Sequence, residues 1–94
     1  MMLSSSQQIF KAWVKANAPE ITYLWNWNDR SLDADAAQNY LNTASHGQAI
    51  MCRFAIAVWF GQNRFDFDVI EAAGVLDAKK RSVIANWFID PFWP

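Results

Sequence analysis

Residues 45–61, SHGQAIMCRFAIAVWFG, decide the fold, because they place the only His and the only Cys of the chain beside one Arg in an otherwise apolar run. Ser45, followed in the next turn by Gln48, matches a helix capping box, and Gly61 suits a helix C-terminus. The stretch therefore predicts a helix over about 46–61. Since this helix is apolar nearly all round, we expect it at the centre of the molecule, packed on every side.

The same segment does not have the features of a membrane span. Its apolar part runs from Ala49 to Phe60 and contains Arg53, whereas a span needs about 20 apolar residues and disfavours a charge. A guanidinium on a packed helix must find oxygen acceptors or reach water at the helix edge. We expect an ion pair or an outward-reaching side chain that fixes helix register, with a ligand-binding Arg53 in a pocket as the alternative. Three carboxylates are candidate partners: Asp66, Asp68 and Asp90.

The remaining pattern predicts an all-α fold, a small bundle of five to six short helices around the central one. The predicted helices cover residues 7–16, 19–28, 31–44, 46–61, 66–76 or 68–76, and 78–89. We expect a single domain over 1–94, with terminal segments 1–5 and 91–94, because 94 residues supply material for one core.

Caps and apolar stripes orient the outer helices. Ser31, Asp66 or Asp68, and Asp77 are the expected N-caps of the third, fifth and last helices. In the first, fifth and last helices one apolar stripe is expected to face the core. The stripes are Ile9, Phe10, Trp13 and Val14 in the first helix, Phe67, Ile70, Ala73 and Leu76 in the fifth, and Val83, Ile84, Trp87 and Phe88 in the last.

The stretch ITYLWNWN, residues 21–28, fits two structures. A helix would put Ile21, Leu24, Trp25 and Asn28 on one face, whereas a strand would align Ile21, Tyr23, Trp25 and Trp27. We favour the helix, because a solitary strand would have no partner for its backbone groups. In both cases Tyr23 and Trp27 lie side by side.

Composition and charge limit the class of protein. Hydrophobic residues make up 53% of the chain and charged residues 18%, which is typical of a globular domain. The net charge of −1 gives no long-range attraction to nucleic acid or anionic lipid. A lone Cys cannot form an internal disulfide and suits a reducing compartment, and the polar start lacks a secretory signal. We therefore expect a cytoplasmic protein without membrane association.

No arrangement of residues indicates catalysis. His46 and Cys52 lie six residues apart on the central helix and so project about 120° away from each other. They are expected to be an exposed residue near the helix start and a small buried hydrophobe. The scattered Asp residues suit helix caps, and no nucleotide, nucleophile or metal motif is present. We predict a non-enzymatic protein without a cofactor or metal site.

Lys79, Lys80 and Arg81 form the only basic cluster, in the first turn of the last helix. A bound phosphate would relieve the unfavourable interaction of these cations with the helix dipole. A solvated face with Asp77 paired to Arg81 is the favoured interpretation. A nucleic-acid-associated regulator that uses this cluster, with Arg64, is therefore an alternative function.

The abundance of aromatic residues is the best functional signal. The chain has six Trp, seven Phe and two Tyr, more rings than a small core readily encloses. Tyr23 and Trp27 are the expected interface residues, while Phe92 and Trp93 are expected to fold back over the core or, as the alternative, to bind a partner. The leading hypothesis is a small interaction or regulatory module that binds a protein partner or a second copy of itself. A further alternative is a small-ligand binder or enzyme with a pocket near Arg53.

Overall fold

The computed structural model describes residues 2–94, which form a mostly helical domain with one small hairpin. The helices are α1 (Ser5–Asn17), a 3₁₀ helix (Pro19–Leu24), α2 (Ala34–Thr43), α3 (His46–Phe60), α4 (Val69–Val75) and α5 (Ala78–Ile89), and the strands are β1 (Trp25–Asn26) and β2 (Ser31–Leu32). The predicted all-α bundle is confirmed. In residues 2–94, no helix combines the length and apolar character that a bilayer crossing needs.

Helix α3 is the central element, as predicted. The Ser45 hydroxyl accepts from the backbone N–H of Gln48, and the Gln48 side chain accepts from the N–H of Ser45, which completes the capping box. The helix ends at Gly61, whose φ of 66° lies in the left-handed region that glycine adopts without strain. Seven residues on several sides of the helix are buried: Ile50, Met51, Cys52, Phe54, Ala55, Ile56 and Val58.

Helix α1 begins earlier than predicted, inside the expected terminal segment 1–5, whose first residue lies outside the described part of the chain. Ser4 caps it and forms a capping box with Gln7. Phe10 and Val14 point into the core, one turn apart. Ile9 was expected on the same stripe but is 53% exposed, because the buried face is centred on the Phe10–Val14 line.

Residues 21–28 do not form one helix. The 3₁₀ helix ends at Leu24, and Trp25 then pairs with Leu32 in an antiparallel β1–β2 hairpin. The Asn26 side chain accepts hydrogen bonds from the backbone N–H groups of Asn28 and Asp29, so it organises the turn that returns the chain. The strand finds its partner within a few residues, which the prediction overlooked.

The hairpin also moves the start of α2. Ser31 lies in β2 rather than at the cap, and Asp33 caps α2 by accepting from the N–H of Ala36 at 3.0 Å. A carboxylate at this position also interacts favourably with the helix dipole. The predicted cap at Ser31 was therefore wrong by two residues.

The predicted inner faces of α4 and α5 were partly wrong. Asp68 caps α4. Ala72 in the helix and Leu76 directly after it are buried, while Ile70 is 79% exposed. The aromatic residue that precedes this cap, Phe67, packs on Phe54 from outside the helix, with the ring centroids 5.1 Å apart. It therefore does not belong to the helical stripe, and Ala73 turns outward as well.

Helix α5 starts at the Asp77 cap as predicted, and its carboxylate accepts from the N–H of Lys80. Ile84 is buried, and Val83 and Trp87 are half-buried. Phe88 was expected in the core but is 53% exposed. The side of α5 next to α4 is therefore only partly covered.

The C-terminal segment 91–94 folds back on the core, which confirms the favoured prediction. The centroid of the Phe92 ring lies 6.5 Å from the ring centroid of Phe10 and 6.2 Å from that of Trp13. Trp93 is 60% exposed, and its ring meets the edge of Trp87 at a centroid distance of 5.0 Å. Phe92 thus closes the core, while Trp93 covers α5 from outside.

Candidate functional site

The two residues best suited to acid–base or nucleophilic chemistry, His46 and Cys52, lie in opposite environments, one exposed and one buried. The His46 ring Nε2 is 3.2 Å from a Glu71 carboxylate oxygen, and both side chains are exposed. Cys52 is fully buried in the core, and this burial raises the pKa of its thiol to about 12. A thiol that stays protonated and enclosed is not a nucleophile. The predicted exposure of His46 and burial of Cys52 are confirmed.

Arg53 does not make the ion pair that was one of the two structural roles predicted for it, and the other, an outward-reaching side chain, stays a prediction. Its side chain is half-buried, and its Nε atom is buried without a hydrogen-bond partner in residues 2–94. No carboxylate in this part of the chain lies within ion-pair distance of it. The expected partner Asp68 instead accepts hydrogen bonds from the first turn of α4. The other two expected partners, Asp66 and Asp90, are exposed and do not pair with it either.

The basic cluster at 79–81 does not form one continuous patch. The Lys80 ammonium donates to the carbonyl oxygen of Asn17, the last residue of α1, at 2.8 Å. The Arg81 guanidinium donates to the carbonyl oxygen of Leu76, just after α4, at 2.6 Å. Both cations therefore satisfy the C-terminal ends of neighbouring helices, where a positive charge is favourable. Lys79 is exposed, and the predicted pairing of Arg81 with Asp77 is not found among the described residues.

The predicted aromatic surface is divided between interior and solvent. Tyr23 is 64% exposed, whereas Trp27 is half-buried and stacks on Trp25 with the ring centroids 5.6 Å apart. The Lys11 ammonium lies 5.4 Å from the centre of the Trp27 ring. Neighbouring groups thus already occupy much of the Trp27 indole. Tyr23 is the more exposed of the two, and both residues line one depression. The binding role of these two residues stays a prediction.

The largest concentration of exposed apolar side chains lies in the last third of the chain. Of the nine large hydrophobic residues that are exposed in residues 2–94, six lie in α4, α5 and the tail: Val69, Ile70, Val75, Phe88, Ile89 and Trp93. Large apolar side chains grouped on a surface are typical of an interaction site. Two of the six, Val69 and Phe88, line one groove, which is therefore the candidate site.

A groove of about 150 Å³ runs between α4 and α5 and is called the α4–α5 groove below. On one side α4 lines it with Val69, Ala72, Ala73 and Leu76. On the other side α5 lines it with Arg81, Ile84, Ala85 and Phe88. Each set follows the spacing i, i+3, i+4, i+7, which places its members on one helix face. Only one of the lining side chains, Arg81, carries a charge.

Small residues create the groove. α4 and α5 are joined by Leu76 and Asp77 alone and form a hairpin whose two helices enclose the groove. Ala73 and Ala85 face each other's helix near its middle and are both exposed, since neither methyl group fills the space between the helices. The exposed Phe88 ring raises one wall. This site was missed because the predicted phase of both helices turned their apolar faces fully inward.

The α4–α5 groove can bind apolar groups and has no means of acid–base catalysis in its lining. A guanidinium stays charged at physiological pH and serves as a hydrogen-bond donor rather than as a base. Within residues 2–94, no group of three or more His, Cys, Asp or Glu side chains is arranged to hold a metal ion. Comparison with known proteins finds no matching family model, no matching curated protein and no matching solved structure.

Proposed function

We propose that the protein is a small, non-enzymatic interaction module that binds an apolar protein segment in the α4–α5 groove. The observation that supports this function best is an apolar groove whose lining includes the exposed Val69 and Phe88 and only one charged residue, Arg81. Burial of an exposed side chain such as Phe88 or Val69 in an interface gains about 1 kcal/mol or more for each. We also propose a cytoplasmic location, which the single unpaired Cys52 favours.

This proposed interface lies away from Tyr23 and Trp27, the interface residues expected from the sequence. Trp27 already packs in an aromatic cluster and carries the Lys11 ammonium near its ring, so a partner would gain little new contact there. In contrast, the exposed face of Phe88 and the methyl groups of Ala73 and Ala85 are open. An apolar ridge from a partner would find uncovered surface on both walls.

The alternative functions stay predictions. A nucleic-acid regulator would use Lys79, Lys80 and Arg81, but two of these cations donate to helix carbonyl oxygens. A ligand-binding role beside Arg53 would need a cavity there, and Arg53 does not line the α4–α5 groove. Neither alternative therefore has a specific geometric feature in its favour.

A photo-crosslinking residue at position 85 tests the proposed function in the cells that make the protein. Ala85 lines the groove, and Ala16 is a matched control because it is also an exposed alanine in a helix. We expect protein crosslinks from position 85 and not from position 16. An added Ala73→Glu change on the facing wall should abolish them, since it puts a charge in the groove. Equal crosslinking from both positions, or none from either, would contradict the proposal.

A further inference from the structure

We propose that the occupant of the α4–α5 groove is a second copy of this chain, bound antiparallel about a two-fold axis. This inference rests on the proposed function and adds the identity of the partner. Its basis is the distribution of charge and aromatic surface along the groove. The two ends of the groove differ in a way that makes the groove complementary to itself.

One end of the groove is aromatic and is next in sequence to a carboxylate. Because α4 and α5 are joined by two residues, Val69 at the start of α4 and Phe88 near the end of α5 line the groove end away from the connection. Asp68 comes directly before Val69, is exposed, and makes no ion pair within residues 2–94. Its Oδ1 atom accepts from the N–H groups of Ile70 and Glu71, so the second carboxylate oxygen is left for an external donor.

The opposite end of the groove carries Arg81, and the Asp77 carboxylate at this end accepts from the N–H of Lys80. Leu76 and Arg81 line this end, where α4 ends and α5 begins. The Arg81 guanidinium gives one hydrogen bond to the carbonyl oxygen of Leu76 and has no carboxylate within ion-pair distance in the described chain. A guanidinium carries five N–H donors, so most of its hydrogen-bonding capacity remains. The side chain is exposed and can meet a partner.

Symmetry allows two ways to place identical grooves face to face, since the two-fold axis lies in the plane of the interface. An axis along the groove would set Arg81 against Arg81 and Asp68 against Asp68, which repel. An axis across the groove keeps α5 opposite α5, so each Arg81 faces Phe88 of the other copy and lies across the groove from its Asp68. A guanidinium then faces an aromatic ring and has a carboxylate across the groove, the two surfaces that it binds best. The charges therefore favour the antiparallel dimer.

The middle of the groove permits close approach in this arrangement. Ala85 lies about midway between Arg81 and Phe88 on α5, and Ala73 faces it from α4. A two-fold axis near Ala85 brings each copy of that residue next to its equivalent. An alanine at this point lets the two backbones approach, while the exposed Phe88 ring of each copy lies at the groove end that carries Arg81 of the other.

Sedimentation equilibrium of the full chain tests the inference. We expect a species of about twice the 10.8 kDa chain mass. Arg81→Glu should weaken the dimer at least about tenfold, because it opposes the partner's Asp68 with a second carboxylate. Lys79→Glu is the matched control, since it makes the same charge change at an exposed residue of α5 that does not line the groove, and should leave the dimer unchanged. Asp68→Asn keeps a helix cap and should weaken the dimer and its salt dependence.

A disulfide test provides a second measurement that does not depend on ion pairs. Ala85→Cys should yield a disulfide-linked dimer on mild oxidation, whereas Ala16→Cys should not, because only position 85 lies near the proposed axis. Far-UV circular dichroism confirms that each variant is folded. A wild-type monomer at millimolar concentration overturns the inference, as does Arg81→Glu weakening no more than Lys79→Glu.

The inference and the proposed function can fail separately. A monomeric chain whose position 85 still crosslinks to a different protein overturns the dimer and leaves the interaction module in place. A monomeric chain without any crosslink from position 85 overturns both. A crosslinked product of two identical chains, together with the loss caused by Arg81→Glu, supports both.

Discussion

The indole N–H of Trp87 donates a hydrogen bond to the carbonyl oxygen of Phe92 over 3.1 Å. This bond joins α5 to the tail that follows it and holds the Phe92 ring near those of Phe10 and Trp13. Pro91 lies between the bonded residues and disfavours a continued helix. One hydrogen bond and a few ring contacts therefore keep the tail on the core.

Trp87→Phe is expected to lower the free energy of unfolding by about 2 kcal/mol, because it removes this hydrogen bond and part of a half-buried ring. Urea unfolding measures the change. Trp93→Phe is the matched control in the same tail, and should cost less than about 1 kcal/mol because Trp93 is 60% exposed. Equal losses for the two variants would contradict the proposed role of the Trp87 bond.

Two glycines should respond in opposite directions to the same substitution. A methyl group at Gly61 or at Gly74 would meet no atom within 4 Å, so crowding is equal. Gly61 has a φ of 66° and ends α3, whereas Gly74 lies within the α4 helix. We expect Gly61→Ala to destabilise by about 1 kcal/mol and Gly74→Ala to stabilise by about 0.5–1 kcal/mol. Thermal unfolding of both variants checks this. Two changes of the same sign would show that φ is not the deciding factor.

Most helix ends could be predicted from sequence because the groups that make them are neighbours along the chain. The capping box of Ser45 and Gln48 and the cap at Asp77 each act within one turn. The β1–β2 hairpin could not be predicted in the same way, because the partner of Trp25 depends on a turn that the Asn26 side chain organises. Strand pairing in this hairpin depends on a contact between two separate segments, which the local pattern of either segment does not determine.

The α4–α5 groove was beyond the sequence prediction because exposure depends on helix phase. The prediction counted Phe67 as helical and set the inner face by it, which placed Ile70 inside. The helix begins after Phe67 and buries the face that carries Ala72, so Ile70 lies outside. The sequence did contain a signal for the groove. Val69 and Ala73 are separated by one helical turn, as are Arg81 and Ala85 on α5, and this spacing places each pair on one helix face. Only the packing of α4 on α3 decides which apolar positions stay uncovered.

Arg53→Met is expected to leave the free energy of unfolding unchanged or to raise it by about 1 kcal/mol. The Arg53 Nε atom is buried without a hydrogen-bond partner among residues 2–94, so no hydrogen bond offsets the free-energy cost of its desolvation. Methionine keeps a long apolar side chain at the same place on α3. Urea unfolding measures the effect. Met51→Ala, at a residue 2% exposed on the same helix, should cost about 2–5 kcal/mol and shows that the helix responds to core changes.

A loss of more than about 1 kcal/mol for Arg53→Met would mean that the guanidinium stabilises the fold. Combined with unchanged self-association, that result would keep Arg53 in a structural role. A loss of binding without a change in stability would instead support the ligand-binding alternative for this residue.

Stability is expected to fall at alkaline pH because of two groups that burial keeps protonated. Burial raises the pKa of the Cys52 thiol from 9.0 to about 12, and burial followed by the nearby Glu20 carboxylate raises the pKa of Tyr40 from 10.0 to about 12. Above their ordinary pKa values both groups lose protons in the unfolded chain and retain them in the folded one. The unfolded state then binds fewer protons, so the free energy of unfolding decreases as pH rises.

Urea unfolding in pH steps across this window measures the slope, which should reach at most about 1.4 kcal/mol per pH unit for each group. Cys52→Ala lowers the free energy of unfolding at every pH because it leaves a core cavity. The further decrease of this free energy with rising pH should be shallower than in the wild type above pH 9.0. Tyr40→Phe should flatten the slope from 10.0 upward and should cost little, since the Tyr40 hydroxyl is buried without a hydrogen-bond partner among the described residues. Tyr23→Phe, at a tyrosine that is 64% exposed, should keep the wild-type slope. Parallel curves for the wild type and both buried-site variants would show that neither group couples folding to pH.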